Sequence, residues 1–188
     1  MRCFVALPIP EALLSALERL LDAVPAGHAQ PAENLHLTLA FLDEQPDAMV
    51  EAAHEALETI RFPRFPLQPK GLGTFGDRQP HTLWAGIADP GPVEALHRKV
   101  LSALHGAGLE LPRRRFRPHV TLARLPRLSP DEEARLANFL SKQESFPAPE
   151  AEAAEFALYR STPGKGGPVY DILAAYPLTG ADGPDRAG

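Results

Sequence analysis

The sequence predicts an α+β domain built from two related halves, with largely antiparallel sheets and flanking helices. Two observations carry that reading. The apolar periodicities run strand, helix, strand, helix, strands, helix, strand, helix, strands, with hairpins instead of steady βαβ alternation. A His-x-Thr-Leu strand also occurs twice, at His36 and His119, each time after one long helix and before another. The two histidines lie 83 positions apart, close to half of the ordered chain. Duplicated halves follow from that spacing.

Taken in order, residues 2–7 (RCFVAL) read as a short buried strand closed by Pro8 and Pro10. Leu13, Leu14, Leu17, Leu20, Leu21 and Val24 then fall at helical spacing over 11–24. After a polar loop, LHLTLAFL at 35–42 alternates as a strand, and 47–60 forms a second amphipathic helix with Asp47 as its N-cap. The Pro- and Gly-rich stretch 61–90 holds two strand-like pieces, around 65–75 and at 82–88. A helix over 92–107 is stopped by Gly106 and Gly108. HVTLARL at 119–125 is again a strand, and Ser129 caps a helix to about Lys142 with Pro130 in its first turn. Strands at 154–160 and 169–177 close the single domain, 1–178, and 179–188 reads as a frayed tail.

Composition bounds the function. With 188 residues, 44% of them apolar and 23% charged, the chain can bury a core without a disulfide or a metal. One cysteine, Cys3, excludes an internal disulfide framework and suits a reducing cytoplasm. The start carries Arg2, two prolines and then Glu11, Glu18 and Arg19, which breaks any export-signal pattern. No window approaches the roughly 20 apolar residues of a membrane span. A soluble cytoplasmic monomer is expected, without a membrane partner. The net charge of −5 does not announce a nucleic-acid binder, yet Arg113, Arg114, Arg115 and Arg117 cluster around Phe116 just before the second motif.

Strand alternation puts His36, Thr38, Ala40 and Leu42 on one face and Leu35, Leu37, Leu39 and Phe41 on the core face. In the second strand, His119, Thr121 and Ala123 share a face, with Val120 and Leu122 opposite. Each strand presents one imidazole and one hydroxyl about 7 Å apart. Small alanines leave room beside them. Two imidazoles across a pocket suit in-line displacement at phosphorus, one as base at the entering oxygen and one as acid at the leaving oxygen. The threonine hydroxyls can donate to non-bridging phosphate oxygens. Nothing marks an activated nucleophile, and the pattern has neither H-E-x-x-H nor a carboxylate cluster, so no metal or other cofactor is expected. The spacing alone is symmetric and does not say which histidine is the acid.

His36-Leu37-Thr38-Leu39 and His119-Val120-Thr121-Leu122 resemble the paired H-x-T-x signatures of the 2H phosphoesterase superfamily. Pro31 to Leu35, Arg117-Pro118, Ala123-Arg124, Phe156 to Ser161 and Gly166 to Tyr170 narrow the resemblance to the RNA 2′,3′-cyclic phosphodiesterases, also called 2′-5′ RNA ligases. It covers roughly residues 2–178. The resemblance implies a bilobal fold with a pseudo-twofold around a central cleft. It also implies metal-independent opening of a terminal 2′,3′-cyclic phosphate on RNA to a 2′-phosphate; a small cyclic-phosphate nucleotide is a further candidate substrate, because the cleft need only see the terminal ribose. His36 would be the general acid and His119 the general base, while Thr38, Thr121 and Arg124 would hold the phosphate. Two rivals are weak reversal to a 2′-5′ ligation and a non-catalytic module that binds RNA ends.

Some residues stand apart from this pattern. Arg124 would alternate onto the core side with Leu122, so its role requires a twist or bulge after Ala123. Asp43 stands where the family commonly has Gly, a departure that affects a turn. The Arg113–Arg117 patch could track an RNA backbone, and Phe116 could stack on a base or pack inside. His54, His97 and His105 fall in or near helices and read as surface or capping residues, His28 as a loop residue, His81 as the start of a strand, and Trp84 as core.

Overall fold

The computed structural model describes residues 1–179 apart from 77, 113, 114, 144, 145, 147 and 166. Ten strands and four helices are present among them. β1 (Arg2–Pro8), α1 (Glu11–Asp22), the two-residue β2 (His28–Ala29), β3 (His36–Glu44) and α2 (Asp47–Glu58) form the first part of the chain. β4 (Phe65–Leu67), β5 (Pro69–Phe75), β6 (Thr82–Ile87) and α3 (Gly91–Gly106) follow. β7 (Val120–Arg124), α4 (Pro130–Lys142), β8 (Ala151–Ala153), β9 (Glu155–Thr162) and β10 (Val169–Pro177) complete it.

Two four-stranded antiparallel sheets carry the fold, in the orders β10-β9-β1-β3 and β2-β7-β6-β5. The expected α+β class is what the chain adopts. Each sheet holds one histidine motif, on β3 and at the start of β7. A small third sheet pairs β4 with β8. The piece expected over 65–75 therefore divides, its first strand leaving for another sheet and its second joining β6.

The helices explain why both sheets stay together. α1 buries Leu13, Ala16, Leu17, Leu20 and Leu21 along one stripe, and it packs against β7 of the other half. α3 buries Val93, Leu96, Val100 and Leu104 and packs against β3 and α2. Residues of both sheets and all four helices thus share one continuous apolar core. α3 ends at Gly106, and Gly108, at φ +85°, takes the left-handed turn that lets Leu109 N–H reach the Leu104 carbonyl.

Caps divide by chemistry. Ser129 caps α4 as expected, in a reciprocal box with Glu132. Asp47 does not cap α2. Pro46 occupies the cap position and Asp47 is the first helical residue, where its carboxylate faces the positive end of the helix dipole. At the other end of the chain, Thr179 is tied down, because its N–H donates to the Phe62 carbonyl and its carbonyl accepts from Arg64. The rest of the expected tail, 180–188, lies outside the described residues, as do Arg113 and Arg114 of the basic patch.

Candidate active site

The two motifs are bent in the same way. Along β1 and β3, Ala6 faces Thr38 but Val5 faces Ala40, so Leu39 is skipped. Along β6 and β7, Trp84 faces Thr121 but Leu83 faces Ala123, so Leu122 is skipped. Each skipped residue stands three positions after its histidine. A bulge at that place turns the remaining strand over by one residue.

The consequence corrects the alternation read from the sequence. Ala40 and Ala123, expected on the histidine face, enter the core at 6% and 0% exposure. Phe41, expected in the core, is 46% exposed, and Leu42 takes its place inside. Arg124 emerges exposed and level with Thr82. The irregularity that Arg124 required exists, one residue earlier than expected. Phe41 and Arg124 are thus equivalent positions of the two halves.

Both imidazoles are anchored alike. His36 Nδ1 lies 2.7 Å from the Asn34 carbonyl, and His119 Nδ1 lies 2.6 Å from the Arg117 carbonyl. A carbonyl only accepts, so Nδ1 carries the proton in each ring and Nε2 is the unprotonated nitrogen when the ring is neutral. Burial lowers the pKa of His36 first of all; the charges of His119 and Arg124 lower it further, against the raising effect of the Asn34 carbonyl. His119 is lowered by burial and by Arg124, against the Arg117 carbonyl. The two imidazoles and the guanidinium therefore share one electrostatic neighbourhood. Thr38 and Thr121 stand two residues beyond their histidines, both half-buried.

Aromatic walls surround each ring. His36 lies 4.8 Å from Phe4 and 5.1 Å from Tyr170, the latter edge-on at 87°. His119 lies 4.8 Å from Phe75, edge-on at 88°, and 6.3 Å from Trp84. His36 is in register with Pro8 and Tyr170 with Ser161, positions at opposite corners of their sheet. Their contact means that the sheet coils over its own open face. Ala6 and Ala157, both at 0% exposure, line that face between the rings. These β1 and β9 alanines, and not Ala40 and Ala123, supply the room. Asn34 Nδ2 closes the coil by donating to the Pro168 carbonyl at 3.0 Å.

Arg124 is held from below. Its guanidinium donates to Thr82 Oγ1 at 3.0 Å, and that hydroxyl lies 3.0 Å from His81 Nδ1. Thr82, at 2% exposure, is the buried polar residue among those described. Sequence reasoning gave Thr82 no role, although its place opposite Arg124 could have suggested one. Trp84 is only partly buried, lies against Phe75, and leaves its buried Nε1 without a hydrogen-bond partner among the described residues. Phe116 does not stand free for a base. It stacks on His97 at 3.8 Å with the rings 5° from parallel. His54 pairs with the Tyr176 hydroxyl at 2.9 Å, and His28 lies on β2 opposite Arg124. Among the described residues, no three His, Cys, Asp or Glu side chains are grouped so as to hold a metal ion, and no helix is long and apolar enough to cross a membrane.

The comparison with known families agrees with the resemblance that the two histidine motifs carry. The profile described as the 2′-5′ RNA ligase superfamily matches residues 9–165. This chain belongs to that superfamily. A Geobacillus stearothermophilus protein named RNA 2′,3′-cyclic phosphodiesterase is 32% identical over 95% of this chain, which spans 57% of that relative's length. An Archaeoglobus fulgidus protein of the same name is 28% identical over 94% of this chain and 99% of its own. Among solved structures, Escherichia coli LigT in complex with 3′-AMP superposes with a TM-score of 0.76 at 27% identity, covering 95% of this chain and 98% of that one.

Proposed function

We propose that this protein hydrolyses the 2′,3′-cyclic phosphate at the end of an RNA to a 2′-phosphate, using two histidines and no metal or other cofactor. His119 Nε2 takes a proton from water as its oxygen bonds to phosphorus, and His36 Nε2 gives a proton to the 3′-oxygen as the P–O3′ bond breaks. One imidazole finishes protonated and the other neutral, and exchange with solvent resets them. Thr38, Thr121 and Arg124 donate to the non-bridging oxygens, where charge concentrates in the transition state. In this reading the enzyme acts as a cytoplasmic monomer.

The observation that carries the proposal is the shared anchoring of His36 and His119, which fixes both rings in the tautomer with Nε2 unprotonated when neutral. A structural role would not require the same tautomer twice in one neighbourhood. The relatives' names point to the same reaction class, and the 3′-AMP bound by LigT is a nucleotide carrying a terminal phosphate. The direction of proton transfer, with His36 as acid, follows the family resemblance.

The test is a short RNA ending in a 2′,3′-cyclic phosphate, incubated with purified protein in EDTA. The expected product is a 2′-phosphate, resistant to an enzyme that removes only 3′-phosphates. A 3′-phosphate would reverse the leaving oxygen, and activity only after a divalent ion is restored would overturn the metal-free mechanism.

A further inference from the structure

The twin bulges differ in how their carbonyls are satisfied. In the second half, the Leu122 carbonyl accepts from the backbone N–H of Gln30, just beyond β2, at 2.8 Å. In the first half β3 is an edge strand, and among the described residues no strand stands where β2 stands beside β7. The Leu39 carbonyl is met by a side chain, His97 Nδ1 of α3, at 2.7 Å. Leu39 is 1% exposed, so this partner cannot be replaced freely by solvent. The flat face of the same imidazole stacks on Phe116, one residue before the Arg117 carbonyl that anchors His119.

We propose that His97 is a positioning residue that clasps the two motifs together. Its Nδ1–H holds the bulge between Thr38 and Ala40, and its ring holds the segment that orients His119. It touches neither substrate nor reacting atoms. By tying both supports to one rigid helix, it sets the span across which acid and base must act in line. The inference rests on the reading of His36 and His119 as the catalytic pair. It predicts that ground-state binding, which either motif can supply in part, suffers less than turnover, which needs both rings placed at once.

Three variants separate the two contacts. His97→Phe keeps the stack and loses the donor, His97→Gln keeps a donor and loses the ring, and His97→Ala loses both. Ala137→Gly, in the exposed interior of α4, serves as a destabilised control away from both motifs. On the cyclic-phosphate RNA, well below each Tm, kcat is expected to fall about 10- to 100-fold in His97→Ala with KM changed less than threefold. The two single-contact variants should fall between it and wild type, and the control should keep wild-type kcat. Equal kcat in all three His97 variants and wild type would overturn the clasp. The second readout needs no substrate: the imidazole Cε1–H NMR resonances of both His36 and His119 should shift or broaden in His97→Ala. Resonances unchanged at both rings would overturn the proposal on their own. If they move while wild type fails to open the cyclic phosphate, the clasp stands and the substrate reading falls.

Discussion

His36 and His119 each donate Nδ1–H to the carbonyl two residues upstream, at 2.7 and 2.6 Å, from strands that bulge at the same offset. In the proposed mechanism the anchor and the chemistry use opposite nitrogens, and substitution can separate them. Asparagine places a donor near Nδ1 but has nothing at Nε2. His36→Asn and His119→Asn should keep the wild-type Tm within about 2 °C and lose roughly 10²- to 10⁴-fold in kcat, the range for a general acid or base. Thermal melts beside single-turnover assays check both halves. A variant that melts normally and keeps its rate would remove that histidine from the mechanism.

The pH dependence follows from the directions of the two shifts. Burial, then neighbouring positive charge, holds both histidines below their ordinary 6.5. The bell of kcat/KM against pH should accordingly centre on the acid side of 6.5. Arg124→Gln removes one positive charge from beside both rings, so both limbs should move to higher pH while the rate at the optimum falls. A profile that stays in place would show that Arg124 does not act on the imidazoles.

Stability should respond to the same groups. His36, His119 and His97 all have folded pKa values below those of the unfolded chain. The unfolded state then binds more protons between the two values, so stability rises with pH there. Their full contribution is present above 6.5 and is lost as pH falls through the folded values. Melting curves from pH 8 to pH 5 should show a constant Tm that begins to drop near 6.5. A Tm that rises over that interval would contradict the shifts.

Much of this was legible in the sequence, and the misplaced faces of the two motif strands share one cause. The paired His-x-Thr strands, the α+β order and the Ser129 cap all follow from local patterns that tertiary contacts did not override. Alternation failed beyond Leu39 and Leu122 because a bulge leaves no mark in a run of Leu and Ala, whose side chains suit either face. Only Arg124 betrayed it, since a guanidinium sent into the core would be prohibitively costly. The aromatic walls were hidden for another reason. They depend on sheet coiling that brings Tyr170 to His36 from the opposite corner, and no spacing along the chain encodes that. His97 looked like a surface helix residue because its partner is a backbone carbonyl created by the bulge itself.

Gly73 is the point where the second aromatic wall is most sensitive. A methyl group built there would lie 2.3 Å from Trp84 Cζ2 and 2.9 Å from Cε2, inside the indole. Gly73→Ala must tilt Trp84, and with it the ring neighbours of His119. The expected result is a loss of about 1–3 kcal/mol in stability from overpacking, together with a lowered kcat. Trp84 is the chain's single tryptophan, so its fluorescence reports the tilt directly. An unchanged emission spectrum with an unchanged rate would mean that β5 moves away instead.

Asp43 gives the most direct test of backbone strain. It is the non-glycine residue with positive φ among those described, at 55°, and it follows the second irregularity in β3, where Cys3 faces Asp43 but Phe4 faces Phe41. The left-handed conformation costs an L-residue about 1–2 kcal/mol, less for Asp, whose short side chain tolerates it. Glycine would adopt the same backbone without that cost. Asp43→Gly should relieve the strain at some entropic cost and leave the protein equally stable or up to about 1 kcal/mol more stable. Asp43→Val, with a branched Cβ at the same φ, should destabilise by more than about 1 kcal/mol. Urea unfolding of the pair measures both signs at once. If valine were tolerated as well as glycine, the end of β3 must have another accessible conformation, and the strain at Asp43 would not be what distinguishes the residue types there.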